Sequence, residues 1–586
     1  MHSHQGTTIH AGFGSKLRSG VATSALLLLT TTLLAAAPAP AQTAPASADL
    51  ATRLDTLFTE TYPSDGPGAA VLIERGDQIV LRKGYGLADV ELGVPIAPDM
   101  VFRLGSITKQ LTAAAVLLLV DEGKLALDMP LGEALPDYEG PAARVTLHQL
   151  LTHTAGVPSY TSMESYADGM REDVTVEEMI DRFRDEPLDF EPGTDWAYSN
   201  SGYFLLGAVI EAASGTSYED FVETRIFAPL GMHRSRYGRV SEVVPGRVEG
   251  YQGAGDGLEN AAYLSMTQPY SAGSLLSTVD DLSLWVKALR GERLLPDDLR
   301  ELLWTPATLA DGRSTGYGYG LGVAEYQGRS VLQHGGGING FLTSILWIPE
   351  EEIFVTVLAN TMAARPAPGE LALRAATETL GVPLDERPSV ELPPEVLDEY
   401  VGVYTIDGTG GDDEQTRVVT REGDRLFTQR TGGAKNRVRF SEEDRIFYPD
   451  SLTTARFERG EDGRVTGMWM APGFGPEEHA TRTDRPLPEP RREAEIESER
   501  LDALLERYVG RYELAPGAVM TITREGNRLY AQLTGQPRFE VFPESETRFF
   551  LKVVDAVIEF HGAEDGPADA VTLYQGGREM KAERVE

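Results

Sequence analysis

The sequence predicts an α+β fold: one mixed domain of strands and helices, followed by two small antiparallel β-barrels. Three observations carry this. Ala69-Ala70-Val71-Leu72-Ile73 and Gln78-Ile79-Val80-Leu81 flank Arg75-Gly76-Asp77 as a hairpin, and strand-like runs return at 330–358, with helical patterns between. A Pro- and Glu-rich stretch, Asp385 to Pro394, marks a boundary. Beyond it the text repeats: Glu399-Tyr400-Val401-Gly402-Val403-Tyr404 matches Arg507-Tyr508-Val509-Gly510-Arg511-Tyr512, and Arg421-Glu422-Gly423-Asp424-Arg425-Leu426-Phe427 matches Arg524-Glu525-Gly526-Asn527-Arg528-Leu529-Tyr530.

Composition sets the bounds. The 586 residues contain no cysteine, which removes disulfides, thiolate metal sites and thiol catalysis from consideration. The net charge of −37 argues against binding nucleic acid through its phosphates. Hydrophobic residues make up 41%, enough for ordinary packed cores. The histidines are widely spaced and no H-E-x-x-H occurs, so neither a metal nor another cofactor is expected.

The elements follow in order. Residues 1–41 read as a signal peptide: Lys16 and Arg18, then a short apolar stretch from Ala25 to Ala37, then Ala39-Pro40-Ala41. That stretch is shorter than the about 20 residues a membrane-spanning helix needs. An exported, periplasmic or secreted protein without stable membrane insertion is expected. Residues 49–385 form the mixed domain, with helical patterns near 107–122, 202–214, 279–290 and 369–380. Strands are expected at Ser330–Gln333, Leu342–Ile348 and Ile353–Leu358. The first barrel repeat covers 393–484, a linker 485–499 and the second repeat 500–586, each repeat being short alternating strands with Gly turns.

The chemistry sits in three short motifs. Ser106-Ile107-Thr108-Lys109 opens the most apolar helix, where Ser106 reads as the N-cap. Lys109 is out of place, because a cation in a first turn opposes the helix dipole and burial desolvates it. Residues i and i+3 share a face, so Lys109 can reach the Ser106 hydroxyl; burial lowers its pKa and lets it take the proton. Tyr198-Ser199-Asn200 precedes a helix, which leaves two readings open: a packed Tyr198 with a capping Ser199 or Asn200, or a second piece of the site. His334-Gly335-Gly336-Gly337 lies between two expected strands, and its glycines allow a ligand to approach the backbone closely.

Two decoys overlap the third motif. Gly335-x-Gly337-x-x-Gly340 fits a dinucleotide fingerprint, but a strand follows it where a helix is required. A lipase-type oxyanion loop would need a later G-x-S-x-G, and that pattern occurs only at Gly312–Gly316, earlier in the chain.

S-x-x-K, Y-x-N and H-x-G in this order resemble the serine penicillin-recognising enzymes: DD-peptidases, class C β-lactamases, D-aminopeptidases and β-lactamase-like esterases. Leu150–Gly156, Ala228–Met232 and Ser277–Leu282 add to the resemblance, which covers residues 49–385. It implies an antiparallel sheet flanked by helices with an all-helical lobe, and the site between them. It further implies Ser106 as acylated nucleophile, Lys109 as proton acceptor and Tyr198 as phenolate or proton relay. Asn200 would bind a substrate amide, and His334 would stand on the strand bordering the site. Gly336 and Gly337 would line it, with the oxyanion held by the N–H groups of Ser106 and Gly337. His153 reads as a residue that secures a loop by hydrogen bonding.

The β-lactamases of this group carry Lys at the His334 position, and the S-D-N of class A is absent. The resemblance therefore implies a peptidase acting on D-amino-acid peptides or amides, with a carboxylesterase as the alternative and a β-lactamase behind it. A rival of another class is a non-catalytic protein that holds peptidoglycan fragments. The partner in the catalytic readings is a small peptide, amide or ester. The paired repeats resemble the barrels of a bacterial D-aminopeptidase, whose last barrel sends a loop to the active site.

Overall fold

The computed structural model describes residues 44–585 except 164–165, 167–168, 255–256, 292, 410–413, 474, 490, 495, 516–517, 535, 537, 563–565 and 577. The signal-peptide reading on 1–41 lies outside these residues. Six antiparallel strands form the central sheet: β1 (Ala69–Arg75), β2 (Gln78–Tyr85), β3 (Gly322–Tyr326), β4 (Arg329–Ile338), β5 (Phe341–Ile348) and β6 (Ile353–Ala359), in the order β3-β4-β5-β6-β1-β2. The hairpin turns at Gly76, whose φ of 60° suits glycine.

The central strands are covered on both faces, so they read as apolar runs without alternation. Val71, Ile73 and Val357 pack with Leu54 and Phe58 of α1 (Ala44–Thr61) and with Leu371 and Ala375 of the C-terminal helix Pro368–Leu380. Ala70, Leu72 and Leu358 face the other core, with Leu111 and Leu117 of α2 (Thr108–Asp121), Leu205 and Val209 of α3 (Asn200–Ser214), and Leu282 of α4 (Val279–Leu289). The strand period of two thus sorts neighbouring β1 residues into separate cores. Helix α2 is buried from Thr108 through Leu119, as an all-round apolar helix must be.

Two expectations change. The strand beginning near Ser330 does not stop at Gln333: β4 runs on through the glycines to Ile338, because β5 pairs with it from Leu332 to Ile338. Cross-strand hydrogen bonds hold a glycine run that propensity alone reads as a break. Ser106 is not an N-cap either. It lies inside a 3₁₀ turn, Gly105–Ile107, that leads into α2, and neither helix start has a side-chain cap.

Each C-terminal repeat is a closed eight-stranded antiparallel barrel, Gly402–Thr483 and Gly510–Arg584. Closure leaves no sheet edge exposed. A short helix precedes each, Pro394–Tyr400 and Ser498–Tyr508. The repeated Tyr-Val-Gly-x-Tyr builds the same corner twice. Tyr404 donates to Tyr400 O at 2.7 Å and Tyr512 to Tyr508 O at 2.9 Å. Arg482 donates to Val401 O at 2.6 Å and Arg584 to Val509 O at 2.7 Å.

The turn between the last two strands docks each barrel on what precedes it. In the first barrel it meets the mixed domain, where Gln333 Nε2 donates to Gly473 O at 3.2 Å. In the second, a Cβ on Gly432 would collide with Gly576 N, and Gln575 Nε2 donates to Gly432 O at 3.2 Å. Among the described residues, no helix is long and apolar enough to cross a membrane.

Tyr404→Phe and Tyr512→Phe each leave a buried carbonyl without its donor. Each should lower the stability of its barrel by about 1–3 kcal/mol, read by urea unfolding monitored through hydrogen exchange of the affected strands.

Candidate active site

The 3₁₀ turn Gly105–Ile107 places Ser106 at the mouth of α2, half-buried, with Lys109 fully buried one turn on. Gly105 makes the turn possible. Its φ is 54°, and a Cβ there would stand 2.9 Å from Gly337 N, so glycine is required on two counts. The same packing brings the backbone of Ser106 beside that of Gly337 on β4. Gly336 is pressed on the same segment, since a Cβ there would collide with Leu104 O and with Thr343 Oγ1, which donates to Leu104 O at 2.7 Å.

Lys109 Nζ has three neighbours. It donates to Asn200 Oδ1 at 2.8 Å and to Ala272 O at 2.9 Å, and it lies 3.2 Å from Ser106 Oγ. The rings of Tyr198 and Tyr203 stand 4.7 and 5.5 Å away, and among the described residues no carboxylate pairs with it. Burial without a counter-ion holds its pKa well below the usual lysine range. A neutral amine has two N–H donors and one lone pair. Asn200 and Ala272 accept the two protons, which leaves the lone pair facing the serine hydroxyl.

Asn200 starts α3, with Ser199 as its N-cap accepting from Gly202 N at 3.2 Å. The Asn200 amide is taken at both ends, since its Nδ2 donates to Thr161 Oγ1 at 3.0 Å. In this structure its Oδ1 holds the lysine, and one Nδ2 hydrogen remains for the substrate contact that the resemblance implies. The Tyr198 hydroxyl is buried without a hydrogen-bond partner among the described residues. Burial pushes its pKa well up, and the Ser106 hydroxyl nearby offsets part of that push, so the phenol is protonated at rest.

His153 sets where Tyr198 lies. It adopts φ 61°, unusual for a non-glycine residue. Its carbonyl accepts from Ala197 N and its Nδ1 from Ser199 N, both at 3.1 Å, so it grips the chain on either side of Tyr198. The ring lies 4.3 Å from the Tyr198 ring. The loop-securing hydrogen bond read from the sequence thus acts directly on the site.

His334 stands on β4, buried, with its ring 6.1 Å from that of Tyr198. Its Nδ1 donates to Gly335 O at 2.6 Å, so Nε2 must accept from the Tyr317 hydroxyl at 2.9 Å. Both nitrogens are engaged, and none reaches Ser106 or Lys109. The structure brings Ser106, Lys109, Tyr198 and Asn200 together with the backbone of Gly336 and Gly337, and sets His334 behind them as a neutral support.

Tyr317 and Ala272 were missed in the sequence. Tyr317 sits in Gly316-Tyr317-Gly318-Tyr319-Gly320, whose alternation was a usable signal of close backbone packing. Ala272 acts through its carbonyl, which no side-chain pattern reveals. The first barrel also meets the rim of the site. Gly475 lies against Trp196 and Gly316, and Gly473 meets Gln333, residues next to or near Tyr198, Tyr317 and His334. In the D-aminopeptidase-like architecture the last barrel was expected in that place; among the described residues the first one occupies it.

A buried lysine held against a serine at a helix start, over an antiparallel sheet, is the apparatus of a serine acyl-hydrolase. The chain belongs to the Beta-lactamase family, whose model matches residues 55–378. A domain of unknown function, DUF3471, matches residues 494–584, the second barrel. The chain is 26% identical over 557 residues to penicillin-binding protein 4* of Bacillus subtilis, covering 91% of this chain and 98% of that protein. It is 31% identical over 340 residues to a D-aminopeptidase of Gluconobacter oxydans, covering 57% of this chain and 63% of that one. The octameric penicillin-binding protein homologue from Pyrococcus abyssi superposes with a TM-score of 0.50 at 28% identity, over 74% of this chain and 99% of that one. The protein is a β-lactamase-related serine hydrolase.

Gly336→Ala should separate β4 from Leu104 and abolish labelling of Ser106 by a fluorophosphonate, while the barrels stay folded by circular dichroism. A second expectation concerns acid. Burial lowers the His334 pKa to about 3, whereas an unfolded imidazole titrates near about 6.5. Between those values the unfolded chain binds a proton that the folded ring refuses, so stability rises with pH. The contribution is full above about 6.5 and is lost as pH falls toward 3. His153, also driven down by burial, adds with the same sign. Urea unfolding between pH 6.5 and 5 should show roughly 1 kcal/mol lost per pH unit per histidine, and His334→Gln should flatten that slope.

Proposed function

We propose that the protein hydrolyses peptides or amides of D-amino acids through an acyl-enzyme on Ser106. The observation that carries the reading is the lone pair of Lys109, left pointing at Ser106 Oγ by its two fixed hydrogen bonds. Ser106 Oγ attacks the substrate carbonyl as its proton passes to Lys109 Nζ. The carbonyl oxygen becomes an oxyanion between the N–H groups of Ser106 and Gly337. Collapse breaks the bond to the leaving amine, which takes a proton from the Tyr198 hydroxyl; Tyr198 is re-protonated from Lys109. Water then enters the vacated side, gives a proton to Lys109, releases the acid and restores Ser106.

The substrate class rests on His334. A neutral imidazole here adds no positive charge to the pocket, unlike the Lys of the β-lactamases that the motif resembles. The relative named a D-aminopeptidase supports the same choice. The apolar leader supports an exported enzyme.

Ser106→Ala should abolish turnover and the acyl adduct seen by intact mass, with the fold kept, because the hydroxyl caps no helix. Lys109→Arg keeps charge but cannot release a proton near neutral pH. It should lose acylation at least about 10²-fold, as Lys109→Ala does, measured in the pre-steady state with one activated ester. Serine–lysine chemistry uses no ion, so dialysis against a strong chelator should leave the rate unchanged. D-amino acid amides, acyl-D-Ala-D-Ala peptides, p-nitrophenyl esters and nitrocefin, assayed side by side, test the substrate class. Turnover of the ester or nitrocefin alone would overturn it.

A further inference from the structure

Close to the nucleophile lies a guanidinium that the protein leaves unanswered. Arg103 belongs to the short strand Phe102–Arg103, paired with Leu276–Ser277 and three residues ahead of Ser106. Its side chain is largely withdrawn from water and lies over the Phe341 ring at 5.8 Å. Among the described residues it makes no hydrogen bond and no ion pair. A second arginine, Arg247, repels it from across the same cavity of about 470 Å³. Burying unpaired positive charge costs several kcal/mol; Arg103 bears that cost, and the exposed Arg247 adds a second positive charge to the same space, so the pair call for an anion.

The acidic residues lining the cavity do not supply it. Asp89 accepts from Leu92 N at 2.8 Å, and Glu91 accepts from Tyr251 at 2.6 Å and from Asn260 Nδ2 at 2.7 Å. Glu249 attracts Arg103 but stands beyond ion-pair distance and is exposed. Asn339, two residues past Gly337, lines the cavity and donates to Ala262 O at 2.9 Å.

We propose that this cavity is a carboxylate-binding subsite, with the Arg103 fork as its anchor and the Phe341 ring as its apolar floor. The inference rests on the acyl-hydrolase reading for its role, not for its chemistry. A guanidinium offers parallel N–H donors that match a carboxylate, as a lysine would not. Three residues span at most about 11 Å, so an acyl group carrying a carboxylate one or two residues from the reacting carbonyl can engage both Ser106 and Arg103. The favoured substrates are then acidic D-amino-acid peptides or amides, with the carboxylate on a side chain or chain end.

Binding without turnover tests this. Calorimetry on the full-length Ser106→Ala protein would compare N-succinyl- and N-glutaryl-D-alaninamide with the matched compounds whose terminal acid is a carboxamide. At least one acid should bind tenfold or more tighter than its neutral partner, and added salt should weaken the acid alone. Arg103→Gln in the same background should bring the preference below twofold, and Arg103→Lys should leave an intermediate one. Equal affinity for acid and amide, no binding of either acid at about 10 mM, or a preference untouched by Arg103→Gln would overturn the proposal. If Arg103→Gln does not fold, the acid–amide comparison and its salt dependence in the parent protein decide alone. Failure of Ser106 to label with a fluorophosphonate would sink the acyl-enzyme reading and leave this measurement standing.

Discussion

Lys109 is enclosed by apolar and aromatic side chains, with no carboxylate among the described residues to balance an ammonium. The protein resolves this by keeping the amine neutral, and much of the surrounding architecture exists to make that state specific. A neutral amine would be satisfied by many arrangements of donors and acceptors. Only one leaves its lone pair on Ser106, and it requires Asn200 Oδ1 and Ala272 O at hydrogen-bond distance on the far side. Those two acceptors come from the start of α3 and from the short helix Tyr270–Gly273, parts of the chain far from α2 in sequence. The long-range packing of the helical side of the domain is thus fixed by one nitrogen.

The same requirement explains the strained and crowded positions. His153 accepts a left-handed backbone, which costs of order 1–3 kcal/mol unless the surroundings enforce it. Its two hydrogen bonds into 197–199 enforce it, and they fix Tyr198 with its ring 4.7 Å from Lys109 Nζ. Gly105 and Gly336 let β4 lie directly on the serine turn, where a side chain at either would hold the strand away. Behind them, the Gly335 carbonyl fixes the tautomer of His334, and Tyr317 donates to its Nε2, so the ring brings no second positive charge to the pocket. A cationic His334 would oppose any proton arriving on Lys109, so its neutrality and that of the lysine are coupled.

The sequence revealed Ser106 and Lys109 because the lysine breaks a local rule: a cation in the first turn of a buried helix has no structural purpose. Tyr198 and Asn200 were ambiguous alone, since Ser199 does cap α3, and both readings of that tripeptide hold at once. What stayed hidden acts through the backbone or across long separations. The Ala272 carbonyl has no side-chain signature, and the 3₁₀ turn that denies Ser106 a capping role depends on the contact between Gly105 and Gly337. The glycine run of β4 looked like a loop because pairing with β5, a tertiary fact, outweighs its low strand propensity. In the barrels the duplication was plain, and the tyrosine corner that it encodes recurs in both copies. The barrels expected from the short alternating strands are present, each closed by pairing of the first strand with the eighth.

The duplication also carries a logic of assembly. In both copies the turn between the seventh and eighth strands is one docking element, although its length differs. The longer turn of the first barrel, 472–477, meets Gln333, Trp196 and Gly316 of the mixed domain. The tight turn at Gly576 meets the Gly432–Gly433 turn of the first barrel. Other loops share the docking: Arg374 of the mixed domain pairs with Asp450 at 2.8 Å, and Asp555 N of the second barrel donates to Gly433 O at 3.2 Å. Among the described residues it is the barrel adjoining the mixed domain that meets the rim of the site, through a turn that lies apart from the corner that folds the module. Stability and access to the site are assigned to opposite features of one repeat, which leaves the turn open to change while Tyr404 and Arg482 stay constrained.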